Sequence, residues 1–354
     1  MKISIIFHNN PRIISGGLKV IYQYSNYLSE KGHEVVFYYM GNQILKNKLP
    51  EPIRRICTKV IVKFRPSWIK LNNKIKKVTV FEVNDNTISD ADVIIATEVR
   101  TALPVSKLSN KKGKKNYFIQ GFENWILPEK EVISTYSLGM NNITISKWLS
   151  KKIDLYAIKP SKCVPNYIDT DVFKVINDIQ CRKKHTIAFH YRKSEVKGCN
   201  YAIETVRILE KKYPDLEVFV VGVEEKPREL PKSCRYFLNI SPQEISKINN
   251  NVMIFMCSSI QEGFGLPGLE AMACGCVLVS TQYEAVSEYA EDGKNALLSP
   301  IRDSESMAAN IVTLFEDDEI RVKLAKNAAK TAEKYCIDNS ANKFEKVLKD
   351  SMME

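Results

Sequence analysis

The sequence predicts an α/β protein of two domains, each built on a parallel sheet with helices on both faces. Three observations carry that prediction. The chain has 354 residues, more than twice the ~150 expected of one domain. Strand-like and helix-like segments alternate nearly throughout, the pattern of parallel βα units. The charge is also split: residues 1–165 hold 27 basic and 12 acidic side chains and residues 166–354 hold 25 and 29, so the formal +11 divides into +15 and −4.

Residues 2–8 read as a buried strand, and their start lacks the length and cleavage site of a signal peptide. After Ser15-Gly16-Gly17, Val20, Ile21, Tyr24, Tyr27 and Leu28 recur at helical spacing and Gly32 closes the helix. Val35–Tyr38 is the next strand, followed by strand candidates at 59–64, 78–82, 92–96, 116–120 and 142–145, with helices over 98–108, 129–138 and 146–156. The weakly patterned stretch from Pro165 to Lys184 is the linker candidate. Alternation then restarts with strands at 185–191, 216–221, 234–238, 252–257, 276–280 and 295–298. Helices are predicted at 199–212, 242–250 and 266–273, and from 303 onward the pattern is helical. Active sites of such sheets lie beyond the carboxyl ends of the strands, so two of them would face one cleft.

Composition excludes several classes. With 26% charged and 44% hydrophobic residues the chain is neither disordered nor fibrous. No run approaches 18 apolar residues, so no membrane span is expected. Nine cysteines without CxxC pairs and four histidines argue against a Cys/His zinc site and for buried thiols in a reducing cytosol. The basic first half is either a Lys-rich solvated face or a surface for an anionic partner, a membrane or nucleic acid.

Four of only 14 glycines fall within residues 263–275, in Glu262-Gly263-Phe264-Gly265-Leu266-Pro267-Gly268-Leu269-Glu270-Ala271-Met272-Ala273-Cys274-Gly275. Gly263 and Gly265 either shape a tight strand-to-helix turn or let the backbone approach a ligand. Pro267 suits a first helical turn, and that helix start offers unpaired N–H groups to a phosphate.

This segment resembles the signature of the family-4 retaining glycosyltransferases. Gly16-Gly17, Lys31-Gly32-His33-Glu34-Val35, Ile145-Ser146-Lys147-Trp148-Leu149 and Pro165-Asn166-Tyr167-Ile168-Asp169 are similar to further family segments. The resemblance implies the GT-B fold: two Rossmann-like domains whose parallel sheets face a central cleft. They would be an acceptor-side domain over 1–165 and a donor-nucleotide domain over 166–335, with a helix at 336–354 packing back toward the first. It implies transfer of a sugar from a nucleoside diphosphate sugar to a glycan or lipid-linked glycan, in bacterial cell-surface polysaccharide synthesis.

The same resemblance assigns roles. Arg192 and Lys197 would grip the diphosphate, with Gly198 beside them, and Glu262 would hold sugar hydroxyls, these three charged groups being the catalytic set. Glu270 would take the ribose. Gly16, Gly17, Gly222, Gly263, Phe264, Gly265 and Leu266 would line the donor site. Gln120 stands where many members have a sugar-contacting His, and an amide bonds a hydroxyl without titrating; with Glu123 it is placed on the acceptor or sugar side. His190 and Tyr191 depart from the pattern before Arg192, and His190 is either a core residue or a lining group of the donor site.

Asp169-Thr170-Asp171 spells a metal-binding DxD, but its place in the chain makes Asp169 a turn cap, so neither metal nor other cofactor is expected. Basic residues at Lys59, Lys63, Arg65, Lys70, Lys74, Lys76 and Lys77, interleaved with Phe64, Trp68 and Ile69, suit an anionic membrane surface. So does the cluster at Lys107, Lys111, Lys112, Lys114 and Lys115. The expected location is cytoplasmic, peripheral at the inner membrane face. A sugar phosphorylase or nucleotide-sugar epimerase on the same fold, or a basic nucleic-acid-binding protein, are the competing readings. No nucleic-acid-binding motif supports the last.

Overall fold

A computed structural model describes residues 1–9, 16–45 and 50–353; Ser15 lies outside them. The chain divides into two compact units, Met1–Asn166 with Ser340–Glu354, and Tyr167–Asn339.

The first unit carries seven parallel strands: β1 (Lys2–Phe7), β2 (Glu34–Met40), β3 (Lys76–Val80), β4 (Val93–Ala96), β5 (Lys114–Ile119), β6 (Asn141–Thr144) and β7 (Lys162–Cys163). Their order is β3-β2-β1-β4-β5-β6-β7. Its helices are α1 (Gly16–Glu30), α2 (Glu51–Phe64), α3 (Val99–Ser106), α4 (Glu129–Thr135) and α5 (Lys147–Asp154). β1 and β4 are buried almost throughout because helices cover both faces of a parallel sheet. An aromatic cluster fills one side: Phe7 stacks on Tyr39 at 5.0 Å and meets Phe37 edge-on at 5.1 Å and Tyr22 at 5.3 Å.

The second unit carries β8 (Thr186–Tyr191), β9 (Glu217–Gly222), β10 (Cys234–Leu238), β11 (Ile254–Cys257), β12 (Val277–Thr281) and β13 (Ala296–Ser299), in the order β10-β9-β8-β11-β12-β13. Around them lie α6 (Cys199–Glu210), α7 (Pro242–Asn249), α8 (Leu266–Ala273), α9 (Ser304–Glu316) and α10 (Asp318–Ala332). Val218, Val220, Ile254, Val277 and Val279 pack against Ala202, Val206, Ile311 and Leu314 to form its core. Both sheets follow the Rossmann order and reverse direction once, between β1 and β4 and between β8 and β11, where such sheets open to ligands.

The last helix, α11 (Ile337–Met353), places residues 340–354 in the first unit. Phe344 stacks on Tyr24 at 4.6 Å and meets Phe118 edge-on at 5.3 Å. His33 Nε2 lies 2.9 Å from Glu345, and Tyr27 bonds Asn342.

Three expectations are corrected. Residues 59–64 are not a strand: they end α2. The run Lys59-Val60-Ile61-Val62-Lys63-Phe64 is β-branched enough to suggest a strand, but Pro52 opens a helix and Thr58 and Val62, four apart, are its buried residues. The stretch after Pro165 is irregular yet not a free linker: Arg182 is buried and donates to the carbonyls of Asn249 and Val252 at 2.6 and 2.8 Å. The thiols are not all buried: Cys181 is exposed and Cys57, Cys163, Cys257 and Cys336 are half-buried.

Candidate active site

At the switch point of the second sheet, two loops leave the carboxyl ends of β8 and β11 and are tied together. The β8 loop runs from Arg192 through a 3-10 turn at Glu195–Lys197 to Gly198. The N–H groups of Ile260 and Gln261 donate to Val196 O at 2.8 and 3.2 Å, and Ser258 Oγ donates to Lys197 O at 3.1 Å. Gly198 has φ +56°, and a Cβ there would sit 2.1 Å from Ser258 O, so only glycine allows this approach.

The paired loops bring Lys197 and Glu262 together. Lys197 Nζ lies 2.7 Å from Glu262 Oε1, and the Ser259 hydroxyl donates to the same oxygen at 2.8 Å. Both side chains remain partly exposed, Lys197 by 31% and Glu262 by 16%, which leaves them reachable by a ligand. Arg192 closes its own loop: its N–H donates to Cys199 Sγ at 3.4 Å and its guanidinium to Tyr191 O at 3.1 Å. Burial pushes the Cys199 thiol up, so that sulfur is an acceptor here rather than a nucleophile.

The turn into α8 rests on two buried tyrosines. Gly265 caps α8 at φ +93°, and a Cβ there would lie 2.1 Å from the Tyr283 hydroxyl. Tyr289 donates to Gly265 O at 2.8 Å and shares a 2.7 Å hydrogen bond with Tyr283. Phe264 is buried against Tyr289 and Tyr335. Gly263 and Leu266 flank this turn, and Pro267 occupies the first turn of α8. Glu270 is buried within α8. Gly222 ends β9 in register with Tyr191, the residue before Arg192, and lies beneath Tyr236, whose hydroxyl would meet its Cβ at 1.9 Å. His190 is half-buried at the end of β8, its ring edge-on to Phe255 at 5.4 Å.

The first sheet's switch point gathers a second set. Gly17 lies under the Gln120 amide, which a Cβ would meet at 3.1 Å, whereas Gly16 faces open space. Gln120 Oε1 is buried without a hydrogen-bond partner among the described residues, as suits a group that bonds a ligand. Glu123, 9% exposed, accepts from the Val99 N–H at 2.6 Å. Burial pushes its carboxyl up to about 8, with the neighbouring Glu98 adding to the rise. Burial also raises Glu98, which pairs with Arg100 at 2.8 Å and lies 3.5 Å from His8 Nδ1. His8 and Glu98 were not singled out in the sequence. Their signal was positional: each follows a strand, β1 or β4, on the ligand side of the sheet.

Above about pH 4.5 the unfolded Glu123 ionises while the folded one keeps its proton, so it costs the fold progressively more as pH rises to about 8. Glu123→Gln keeps an acceptor for Val99 and removes that cost. Its melting temperature should therefore gain on the wild type steadily from pH 5 to pH 8, read by thermal unfolding across pH.

Asp169 Oδ1 accepts the Asp171 N–H at 3.1 Å, so the DxD tripeptide forms a local turn. No group of three or more His, Cys, Asp or Glu is placed to hold a metal among the described residues.

Two Rossmann-ordered units, with paired loops at the switch point of the second, define a protein of the GT-B class. The fold matches that of HepE from Anabaena, solved with UDP and glucose, at TM-score 0.76 and 14% identity over 99% of this chain and all of that one. Residues 176–331, within the second unit, match the family model Glycosyl transferases group 1. It is 27% identical over 174 residues to a D-inositol 3-phosphate glycosyltransferase of Corynebacterium urealyticum, covering 45% of this chain and 41% of that protein. It is also 27% identical over 206 residues to the Campylobacter jejuni N,N'-diacetylbacillosaminyl-diphospho-undecaprenol alpha-1,3-N-acetylgalactosaminyltransferase, covering 55% and 53%. The chain thus spans about half the length of these curated relatives.

Proposed function

We propose that this protein is a retaining, metal-independent glycosyltransferase of the GT4 type. It moves a sugar, a hexose or deoxyhexose, from a nucleoside diphosphate donor to a glycan or lipid-linked glycan acceptor in surface-polysaccharide synthesis. The observation that carries this reading is the Lys197–Glu262 pair, held on two interlocked loops directly before the start of α8.

A diphosphate placed against these loops meets Arg192, Lys197 and the positive N-terminal end of α8, whose attraction grows as the leaving group gains charge. Glu262, released by Lys197, accepts from sugar hydroxyls, and Glu270 from the ribose. The acceptor hydroxyl attacks the anomeric carbon from the side the diphosphate leaves. Its oxygen bonds that carbon as the bond to the β-phosphate oxygen breaks, and its proton passes to that phosphate oxygen. Gln120 and Glu123 orient the acceptor, so the chain's contribution is positioning and charge stabilisation. HepE was solved with UDP and glucose, and the Campylobacter relative is named for a diphospho-undecaprenol acceptor. Both support a nucleotide-sugar donor and a lipid-linked acceptor. We place the protein in the cytoplasm, with unit 1 toward an anionic membrane face.

Labelled UDP-, GDP- and dTDP-sugars, incubated with EDTA and with or without lipid-linked acceptor, test the reading. Acceptor-dependent transfer with retained configuration is the expected product. Epimerised donor, sugar phosphate, or complete loss of transfer in EDTA would replace it.

A further inference from the structure

Helix α2 wears its apolar side outward. Thr58 and Val62 are its buried residues, while Ile53, Ile56, Val60 and Phe64 are 52%, 66%, 53% and 71% exposed. At roughly 100° per residue these four form one stripe on the side opposite Thr58 and Val62. A helix that only covered its sheet would show the reverse pattern. Along one border of the stripe runs a ridge of exposed cations at four-residue spacing, Arg55, Lys59 and Lys63. Glu51 pairs with Arg55 at 2.9 Å, whereas no carboxylate of the described residues pairs with Lys59 or Lys63. The cations elsewhere in the basic clusters are partly used internally. Lys112 binds Asp90 and Lys76 binds Glu34, both at 2.8 Å, and Lys77 donates to the Lys63 and Arg65 carbonyls. Trp68 is half-buried against Tyr22 at 5.7 Å and is not part of the exposed face.

We infer that α2 is the element by which unit 1 docks on an anionic bilayer, resting on the reading of unit 1 as the membrane-facing side. Ile53, Ile56, Val60 and Phe64 enter the acyl boundary and Arg55, Lys59 and Lys63 meet lipid phosphates. An exposed apolar stripe bordered by cations suits a helix lying in the membrane interface. Charge argues against a second copy as the occupant. An antiparallel two-fold contact through the stripe would bring the Lys59–Lys63 ridge close to its own image.

Flotation of the full chain with vesicles of equal parts phosphatidylglycerol and phosphatidylcholine, or of phosphatidylcholine alone, tests this. Wild-type protein should float with the anionic vesicles only. Val60→Ser/Phe64→Ser and Lys59→Glu/Lys63→Glu should each lower the bound fraction about tenfold or more. All of these side chains are solvent-exposed, so circular dichroism and donor-induced thermal stabilisation should stay at wild-type values. Wild-type flotation that neither double variant weakens would overturn α2 as the docking element and leave the membrane reading in place. Absence of wild-type flotation would overturn both, and a wild-type dimer made monomeric by the serine pair would give the stripe to a second copy. Donor stabilisation in the same samples reports separately on sugar transfer.

Discussion

Lys197→Ala is expected to lower the turnover number by about three orders of magnitude, the scale set by removing one preorganised charge from a developing anion. The loss should fall mainly on kcat, because the ammonium's attraction is greatest when the diphosphate departs. The fold should survive. The Lys197 side chain is 31% exposed and its contact with Glu262 joins two loops at the carboxyl ends of the central strands β8 and β11, so the pair contributes about 1 kcal/mol or less to stability. Steady-state kinetics and a melting curve on one preparation check both parts. Near-normal turnover in a folded variant would end the assignment of Lys197.

Gly198→Ala should cost more to the structure. At φ +56° an alanine meets the left-handed penalty of roughly 1–2 kcal/mol. Its Cβ would also lie 2.1 Å from Ser258 O, a backbone atom fixed by β11 and by the Val196–Ile260 hydrogen bond. The β8 loop must therefore shift away, for a total near 3 kcal/mol or more. That corresponds to a drop of about 6–12 °C in the melting temperature of a domain this size. Because the same shift carries Lys197 away from Glu262, donor-induced stabilisation should vanish as well. A variant with wild-type melting and donor response would show that these loops need not interlock.

The difference between the two variants reflects how each residue was legible. Lys197 and Glu262 were legible in the sequence only through the family resemblance, which rests on short local motifs: Arg192 followed five residues later by Lys197-Gly198, and a carboxylate just before a glycine turn and helix start. Their 2.7 Å contact was not legible, since 65 positions separate them and only the adjacency of β8 and β11 brings the loops together. Ser259, Tyr283 and Tyr289, which hold Glu262 and Gly265 in place, gave no signal of their own, as a buried tyrosine has the same pattern as any core residue. His8, Glu98 and Glu123 come from three strand ends, and their grouping depends on β1 lying beside β4 and β4 beside β5.

What the sequence determined by itself is what periodicity and short motifs encode: two α/β units, nearly every strand and helix, and the loops that carry charge to the strand ends. The tertiary structure alone decided α2. Val60-Ile61-Val62 has the side chains of a strand, and its local preference is overridden because the helix buries Thr58 and Val62 together. Turning that segment into a helix moves Ile56, Val60 and Phe64 onto one outward stripe beside Lys59 and Lys63. The charge split between the halves is written in the chain. Which of those charges border an apolar face open to a membrane depends on packing that no local pattern records.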